Sequence, residues 1–295
     1  MKPFADAAEL VRGLEQAGYI AEPGLATSLL LMSYLGRPLL VEGDAGVGKT
    51  EIAKALAACC GCKLIRLQCY EGLDVNAAVY EWNYQRQLLA IKMLETESAS
   101  VAEKEHSVFS EAYLLPRPLL QAIREPQPPV LLIDEIDRAD EEFEAYLLEV
   151  LADYQISIPE LGTVRATSIP MVVLTSNGTR ELSDALRRRC LYYFLDYPDA
   201  QKELRIVRRR IDGIEATLAA QVVAFVQALR RLDLQKRPGT AETLDWAAAL
   251  MRMRVDTLEA GAEPLFGTLG CLLKTREDQA ALPPTEFARL LAGCV

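Results

Sequence analysis

One loop sequence dominates the chain: Gly43-Asp44-Ala45-Gly46-Val47-Gly48-Lys49-Thr50. An apolar run precedes it at 38–41 and a helix-like stretch follows at 51–58, which is the strand–loop–helix setting of a phosphate-binding loop, or P-loop. The glycines let backbone N–H groups surround phosphate oxygens, and the start of the following helix adds partial positive charge. Lys49 is expected to reach the β- and γ-phosphates, and the Thr50 hydroxyl to ligate Mg²⁺. The loop therefore predicts binding of a nucleoside triphosphate.

A second motif lies at the end of a predicted strand. Val130-Leu131-Leu132-Ile133 is a continuous apolar run, typical of a strand buried on both faces, and Asp134-Glu135 follows it directly. An open α/β sheet presents its ligands at this end of the strands. Asp134 is expected to hold Mg²⁺ through its water shell, and Glu135 to polarise the attacking water. Two solvated surface acids are the alternative interpretation, so the pair predicts hydrolysis only together with the P-loop.

Two polar motifs follow further along the chain. Asn177 comes after the apolar run 171–175, which places it at the same end of the sheet, where it would orient the attacking water or touch the γ-phosphate. Asn177-Gly178 taken alone is simply a turn signal. Arg187-Arg188-Arg189 ends a short helical segment, and three consecutive arginines in an acidic chain indicate an anionic partner.

The order of these motifs resembles that of the AAA+ ATPases, in which they correspond to Walker A, Walker B, sensor 1 and the arginine finger. Within that family the chain resembles the MoxR group over roughly residues 25 to 200. The supporting stretches are Asp134-Glu135-Ile136-Asp137-Arg138-Ala139, Ala145-Tyr146-Leu147-Leu148-Glu149-Val150-Leu151 and Tyr154-Gln155-Ile156-Ser157-Ile158-Pro159. The resemblance implies ATP and Mg²⁺ as cofactors and a homohexameric ring. In such a ring Arg189 of one subunit completes the neighbour's site, and Arg188 is the second candidate for this role.

Two other stretches resemble the CoxD subgroup of MoxR proteins. They are Leu67-Gln68-Cys69-Tyr70-Glu71-Gly72-Leu73-Asp74 and Lys236-Arg237-Pro238-Gly239-Thr240-Ala241-Glu242-Thr243-Leu244-Asp245-Trp246-Ala247. This resemblance implies chaperone-like remodelling of a metalloenzyme during cofactor insertion. The implied client is a molybdenum hydroxylase such as carbon monoxide dehydrogenase, and a von Willebrand A-domain protein is the implied partner.

The chain departs from the family pattern at two places. Asp44 puts a negative charge into the P-loop, which would repel phosphate unless its side chain points outward. The arginine called sensor 2 in AAA+ proteins has no counterpart at the matching helix position near Gly239, so only Lys236 or Arg237 in the preceding turn is a candidate. Coupling of hydrolysis to a lid is therefore the least supported part of the predicted mechanism.

The periodicity predicts two domains. Helix and strand patterns alternate to about residue 197, which predicts an α/β fold with three αβα layers around a parallel sheet. Domain 1–198 would contain an insertion around 81–105, with a helical stretch followed by a polar segment, and a β-hairpin around 155–167. Beyond Tyr197-Pro198, apolar positions recur at helical spacing with no convincing strand. Residues 199–295 are therefore predicted to form a small helical lid.

Composition excludes some functions and places the protein in a reducing compartment. With 32 basic and 42 acidic residues the net charge is −10, which opposes a sequence-independent grip on nucleic acid. Seven cysteines without repeated spacing predict free thiols in a cytoplasmic protein. Cys59-Cys60-Gly61-Cys62 suggests a metal, but the end of an apolar helix is the simpler interpretation. No apolar run reaches the ~20 residues of a membrane span, the run 29–35 being read as a buried helix, so any membrane contact would be peripheral.

Further functional alternatives remain open. Tyr70-Glu71-Gly72 follows a predicted strand at 63–67, at the place where AAA+ unfoldases carry an aromatic pore residue. A turn is the commoner reason for such a glycine, and a half-buried packing contact for the tyrosine. A clamp-loader-like ATPase acting on DNA would share the Arg189-Cys190 pair. A nucleotide-gated scaffold without productive turnover is the non-enzyme alternative. A small-molecule kinase is disfavoured, because Glu135 and Asn177 favour water as the nucleophile.

Overall fold

A computed structural model describes residues 4–94 and 107–294 of the chain. The chain forms two compact units, each with its own hydrophobic core. Of the described residues, the first comprises 4–10, 23–42, 53–94 and 107–193, and the second comprises 11–22, 43–52 and 194–294.

The first unit is organised around a parallel sheet. In the described residues the sheet has five strands in the order β2-β5-β8-β1-β9, and the pairings β2–β5, β5–β8 and β1–β8 are parallel. The strands are β1 (Leu39–Glu42), β2 (Leu64–Gln68), β5 (Val130–Asp134), β8 (Met171–Ser176) and β9 (Leu191–Phe194). Every residue of β5 and β8 is buried, because both strands lie inside the sheet and are covered on both faces.

Two antiparallel hairpins accompany the sheet. One pairs β3 (Tyr80–Trp82) with β4 (Leu114–Pro116), and the other pairs β6 (Gln155–Ile158) with β7 (Gly162–Arg165). The sequence predicted that a helical stretch begins near residue 81. In the structure Trp82 instead belongs to a strand and pairs with Leu114, and the helix begins at Tyr84. The remainder of the predicted insertion, residues 95–105, lies outside the described residues.

The helices alternate with these strands. They are α1 (Ala7–Gln16), α2 (Pro23–Leu35), α3 (Lys49–Cys60), α4 (Val75–Ala78), α5 (Tyr84–Leu94), α6 (Pro118–Arg124), α7 (Glu141–Asp153) and α8 (Asp184–Arg189). The run 29–35 is not wholly buried, contrary to the sequence expectation. Leu29 and Met32 face the protein, whereas Leu31, Tyr34 and Leu35 on the opposite side of α2 are exposed. In the part of the chain that the structure describes, no helix is both long enough and apolar enough to cross a bilayer.

The second unit is helical after β9. Its helices are α9 (Ala200–Arg210), α10 (Ala216–Leu229), α11 (Thr240–Arg252), α12 (Ala262–Phe266), α13 (Arg276–Ala281) and α14 (Pro284–Ala292). Three buried aromatic rings pack at the centre, with the Phe225 ring centroid 5.1 Å from that of Trp246 and 5.3 Å from that of Phe287. The α/β class with a parallel sheet and a helical C-terminal region, predicted from the sequence, is confirmed.

Candidate nucleotide site

The P-loop follows β1 directly and leads into α3. Gly46 and Gly48 have φ angles of +79° and +100°, a backbone region that favours glycine. Gly43 has a different constraint, because a Cβ atom there would lie 2.2 Å from the carbonyl oxygen of Leu195. Lys49 is 7% exposed, and its Nζ donates to the carbonyl oxygens of Gly43 and Asp44, both at 2.7 Å. The loop therefore has a phosphate-binding shape, with a lysine ammonium held beside its backbone.

Asp44 is exposed, and its side chain interacts with Tyr197. Its carboxylate accepts a hydrogen bond from the Tyr197 hydroxyl. Burial, together with the Asp44 charge and this bond, raises the pKa of Tyr197 to about 12, so the tyrosine stays protonated as a donor. The guanidinium of Arg230 lies 4.9 Å from the centre of the same ring. The negative charge in the P-loop thus has a hydrogen-bond donor beside it.

A cavity of about 230 Å³ lies beside the P-loop within the second unit. Apolar side chains make up much of its lining: Ile20, Val47, Pro198, Ile206 and Leu244. Two ion pairs stand at its edge, Lys202 with Glu22 at 2.6 Å and Arg210 with Glu51 at 2.5 Å. Asp196 also lines the cavity, and its Oδ1 accepts from the Tyr197 amide at 2.7 Å. A largely apolar slot of this kind suits an uncharged aromatic ring such as a nucleobase.

The first turn of α11 also lines this cavity, through Thr240 and Ala241. The amide of Ala241 donates to the carbonyl of Gly46 at 3.3 Å, and a Cβ on Gly239 would lie 2.7 Å from Gly46 backbone atoms. The glycine at 239 therefore permits a close approach of this helix to the P-loop. Arg237 lines a separate depression with Asp44 and Tyr197, and the residues facing the cavity from α11 include no arginine.

Asp134 ends β5 and is almost completely buried. Its Oδ1 accepts from the Thr175 hydroxyl at 2.6 Å, and its Oδ2 accepts from Arg66 Nη2 at 2.6 Å and Nε at 3.1 Å. These bonds fix the carboxylate in one orientation. A carboxylate held in this way by a hydroxyl and a guanidinium fits Mg²⁺ bound through the water shell of the metal rather than directly.

Glu135 has a left-handed backbone, with φ 57° and ψ 50°. This conformation costs a non-glycine residue about 1–2 kcal/mol, and such strain is concentrated at functional sites. The Glu135 amide donates to Thr175 Oγ1 at 2.9 Å, which helps to hold the turn. Its carboxylate accepts from Gln68 Nε2 at 3.1 Å and pairs with Arg138 Nε at 3.0 Å. The two adjacent carboxylates thus have different side-chain partners, while the Thr175 hydroxyl bonds to both residues and links them.

Asp137 connects the turn after β5 to the turn after β8. Its Oδ2 accepts from the Thr179 hydroxyl at 2.6 Å and the Thr179 amide at 3.0 Å. Burial raises the pKa of Asp137, but the hydrogen bonds from Thr179 and from the Asn177 amide outweigh it and lower the pKa below its usual value. Because β5 and β8 are parallel neighbours, Asn177 and Asp134 lie at the same edge of the sheet.

The three arginines of α8 differ in their surroundings. Arg187 pairs with Glu42 at 3.2 Å. Arg188 and Arg189 are exposed, and within the described residues no acid forms an ion pair with either. Arg37 donates to the carbonyl oxygens of Arg188 and Arg189, at 2.5 Å and 3.1 Å. These bonds cap the C-terminal end of the helix, and the side chains of Arg188 and Arg189 remain exposed to solvent.

Arg66 and Gln68 of β2, which bond to Asp134 and Glu135, were not predicted from the sequence as site residues. The sequence does contain a sign of their exposure, because buried and exposed side chains alternate along β2: Ile65 and Leu67 are buried, and Arg66 and Gln68 are exposed. That alternation marks a strand with one polar face. It does not reveal that β2 lies next to β5, which is what brings Arg66 to Asp134.

The Tyr70-Glu71-Gly72 segment and the cysteines are two other features that the sequence singled out. Tyr70 is 49% exposed after β2 and Gly72 has φ +79°, so a turn is present and the aromatic ring is accessible. All seven cysteines lie in the described part of the chain and are free thiols. Among the described residues, no three histidine, cysteine or acidic side chains are grouped to hold a metal ion.

Comparisons with known proteins identify one family and several similar chains. The family described as AAA domain (dynein-related subfamily) matches residues 38–190. The denitrification regulatory protein NirQ of Stutzerimonas stutzeri is 26% identical over 251 residues, covering 82% of this chain and 80% of NirQ. An uncharacterised protein of Staphylococcus haemolyticus is 27% identical over 208 residues, covering 68% and 71% of the two chains. Among solved structures, the Thermotoga maritima RuvB Holliday junction branch migration motor matches with TM-score 0.45 and 16% identity, covering 91% of this chain and 72% of that one.

Proposed function

The chain belongs to the AAA family, dynein-related subfamily, and on that basis we propose that it is a Mg²⁺-dependent ATP hydrolase. The observation that carries the proposal is the geometry after β5, where Glu135 stands in a strained turn and its carboxylate has other partners than the Asp134 carboxylate. Asp134 and Thr50 would hold Mg²⁺, Lys49 would bind the phosphates, and Glu135 with Asn177 would position water. When bound, the metal would neutralise charge on the transferred phosphate.

We further propose that the cavity beside Val47 takes the adenine base. Its apolar lining and paired edge charges favour an uncharged ring over a charged one. The backbone amides of the P-loop residues 43–50 would then bind the phosphates next to it.

The proposed active form is a homohexameric ring with shared sites. Arg189, and Arg188 as the second candidate, would act on the nucleotide of the neighbouring subunit. Their exposure and the lack of an acidic partner in the described residues support this role, since an arginine finger must face outward before assembly. Tyr70, half exposed after β2, is the proposed pore residue.

The proposed task is remodelling of a metalloenzyme in the cytoplasm during insertion of its cofactor. The resemblance to the MoxR family and its CoxD subgroup supports this task. The similarity to NirQ, which is named as a denitrification regulatory protein, is compatible with a role that is dedicated to one enzyme system. A molybdenum hydroxylase is the proposed client, with a von Willebrand A-domain protein as partner. A deletion strain that still makes fully metallated, active hydroxylase would rule out this client.

One specific observation favours a second candidate, a nucleotide-gated scaffold. The residues of α11 that reach the cavity are Thr240, Ala241 and Leu244, so this helix offers no cation to sense the γ-phosphate. Binding of ATP without productive turnover would follow. The net charge of −10 disfavours the DNA-dependent clamp-loader alternative.

Steady-state ATP hydrolysis of the wild type and of Glu135→Gln separates these candidates. The amide keeps the shape and the bond with Gln68 but removes the charge that polarises water, so we expect ATP binding to be retained and turnover to fall about 10²-fold or more. Glu141→Gln, an exposed acid in the first turn of α7, is the matched control. Equal turnover by both variants and the wild type would exclude Glu135 as the activating group, and turnover at background in all three would favour the scaffold.

A further inference from the structure

Three thiols lie close together at the end of the helix that begins in the P-loop. Cys59 and Cys60 are the last residues of α3, and Cys62 stands before β2, with Gly61 between them at φ +61°. The amide of Gly61 donates to the carbonyl of Ala58 at 3.2 Å, and that of Cys62 donates to the carbonyl of Ala57 at 3.0 Å. These bonds close the helix with a left-handed glycine and fold Cys62 back towards Cys60.

Cys60 and Cys62 interact directly through their side chains. The Cys60 thiol hydrogen-bonds to the Cys62 sulfur, and both residues are partly exposed, so a small reagent in solution can reach them. The Val130 amide at the start of β5 contributes to the electrostatics of the Cys62 sulfur, although its hydrogen bond goes to the carbonyl of Lys63 at 2.9 Å. The nearest side-chain charge along the chain, Lys63, is paired with Glu125 at 2.5 Å. Cys60 and Cys62 are therefore two interacting, partly exposed thiols at the end of α3.

The surroundings make the two sulfurs chemically unequal. The hydrogen bond from Cys60, with the Val130 amide, outweighs burial and lowers the pKa of Cys62 to about 7. The hydrogen bond to Cys62 raises the pKa of Cys60 above its usual value, with burial adding to this effect. Burial and the charge of Glu9 raise the pKa of Cys59. A thiol whose pKa is near the ambient pH is the best attacking group in disulfide exchange.

We propose that Cys60 and Cys62 form a reactive dithiol that a low-molecular-weight disulfide converts into an intramolecular disulfide. The Cys62 thiolate attacks one sulfur of the small disulfide, whose S–S bond breaks and releases one small thiolate. Cys60 then loses its proton to solvent and attacks the Cys62 sulfur, which releases the second small thiolate. Two protein thiols are oxidised and the small disulfide is reduced to two thiols, so electrons and atoms balance.

The geometry favours the second step once the first has occurred. In the mixed disulfide, Cys62 has no negative charge, so the interaction that holds the proton on Cys60 is removed. Cys60 is then free to ionise beside the sulfur that it must attack. Cys59 has no such hydrogen bond to another thiol and is the natural internal control.

The test treats the reduced, full-length protein with oxidised glutathione under anaerobic conditions and follows the tryptic peptide between Lys54 and Lys63 by mass spectrometry without reduction. Wild type and Cys59→Ser should both lose two hydrogens from this peptide, with no lasting glutathione adduct. Cys60→Ser should stop at a glutathione adduct on Cys62, since its resolving thiol is gone. Cys62→Ser should form an adduct about 10-fold more slowly, because its remaining thiols are mostly protonated. Circular dichroism checks that each variant is folded.

Several outcomes would overturn the proposal. A lasting glutathione adduct on the wild type would show that Cys60 does not resolve it. Loss of the disulfide in Cys59→Ser would assign the pair to Cys59 instead. An adduct in Cys62→Ser formed as quickly as in Cys60→Ser would show that Cys62 is not the attacking sulfur. A wild-type peptide that stays reduced would exclude the dithiol altogether.

Discussion

Arg230 and the pair Arg188–Arg189 show two different uses of the same side chain. Arg230 is 7% exposed and forms a two-pronged ion pair with the wholly buried Glu203, at 2.6 Å and 2.7 Å. It also donates to the carbonyl of Pro238 at 2.7 Å. Arg188 and Arg189 are exposed at the end of α8, and in the described residues they form no ion pair.

The difference separates a structural charge from one available to a partner. Every donor position of a buried guanidinium must be satisfied within the fold, and Glu203, Pro238 and Thr243 do so for Arg230. An exposed arginine has no such requirement and retains its affinity for an external anion. Removing Arg230 should therefore damage stability, and removing Arg189 should damage catalysis.

The largest expected effect is on ATP hydrolysis, when the exposed Arg189 is removed. Arg189→Ala should lower ATP hydrolysis by about 10³-fold or more, because a finger stabilises charge only in the transition state. Nucleotide binding and the unfolding midpoint should not change. Steady-state hydrolysis and calorimetric binding of ATP measure the two quantities. If Arg188→Ala produces the loss instead, Arg188 is the finger, and if neither variant is slower, the exposed arginines have no catalytic role.

On the buried side, Arg230→Ala should lower the free energy of unfolding by about 3–5 kcal/mol, because it leaves the Glu203 carboxylate buried without a partner. Trp246 is a natural reporter, since it lies in the same core and the chain has only two tryptophans. Urea unfolding followed by its fluorescence, in a Trp82→Phe background, gives the value. The adjacent, exposed Arg231→Ala is the control, and equal losses in the two variants would contradict the assignment.

The smallest expected effect concerns acid sensitivity at Asp137. Its folded-state pKa lies below the value of an unfolded aspartate, so its contribution to stability is present above the unfolded pKa and is lost as pH falls through the folded one. Asp137→Asn should therefore lose less stability than the wild type between about pH 5 and pH 2. Urea midpoints followed through Trp82, in a Trp246→Phe background, report this difference, and parallel pH curves for the two proteins would disprove it.

Sequence patterns predicted the central strands well, and the physical reason is burial. The runs 130–133 and 171–175 are apolar throughout because β5 and β8 are covered on both faces, and the residues after them fall at the ligand-binding edge. The P-loop was equally readable, because its glycines are required by positive φ at positions 46 and 48 and by close approach at Gly43.

Pairings between distant segments were not predictable in the same way. Tyr80–Trp82 is only three residues long and pairs with Leu114–Pro116, so no local period distinguishes it from the helix that follows. The ion pair of Arg66 with Asp134 depends on strand order, which periodicity does not encode. The hydrogen bond that Tyr197 donates to the Asp44 carboxylate of the P-loop depends on tertiary packing as well.

The central claim, a hydrolytic site shared between subunits, is tested most directly by mixing two inactive variants. Glu135→Gln subunits retain Arg189, and Arg189→Ala subunits retain Glu135, so each supplies what its neighbour lacks. In an equimolar mixed ring, about one quarter of the interfaces would pair an intact Glu135 with an intact Arg189, and ATP hydrolysis should recover to about that fraction of wild type. A mixture that remains as inactive as its two components would contradict the shared site.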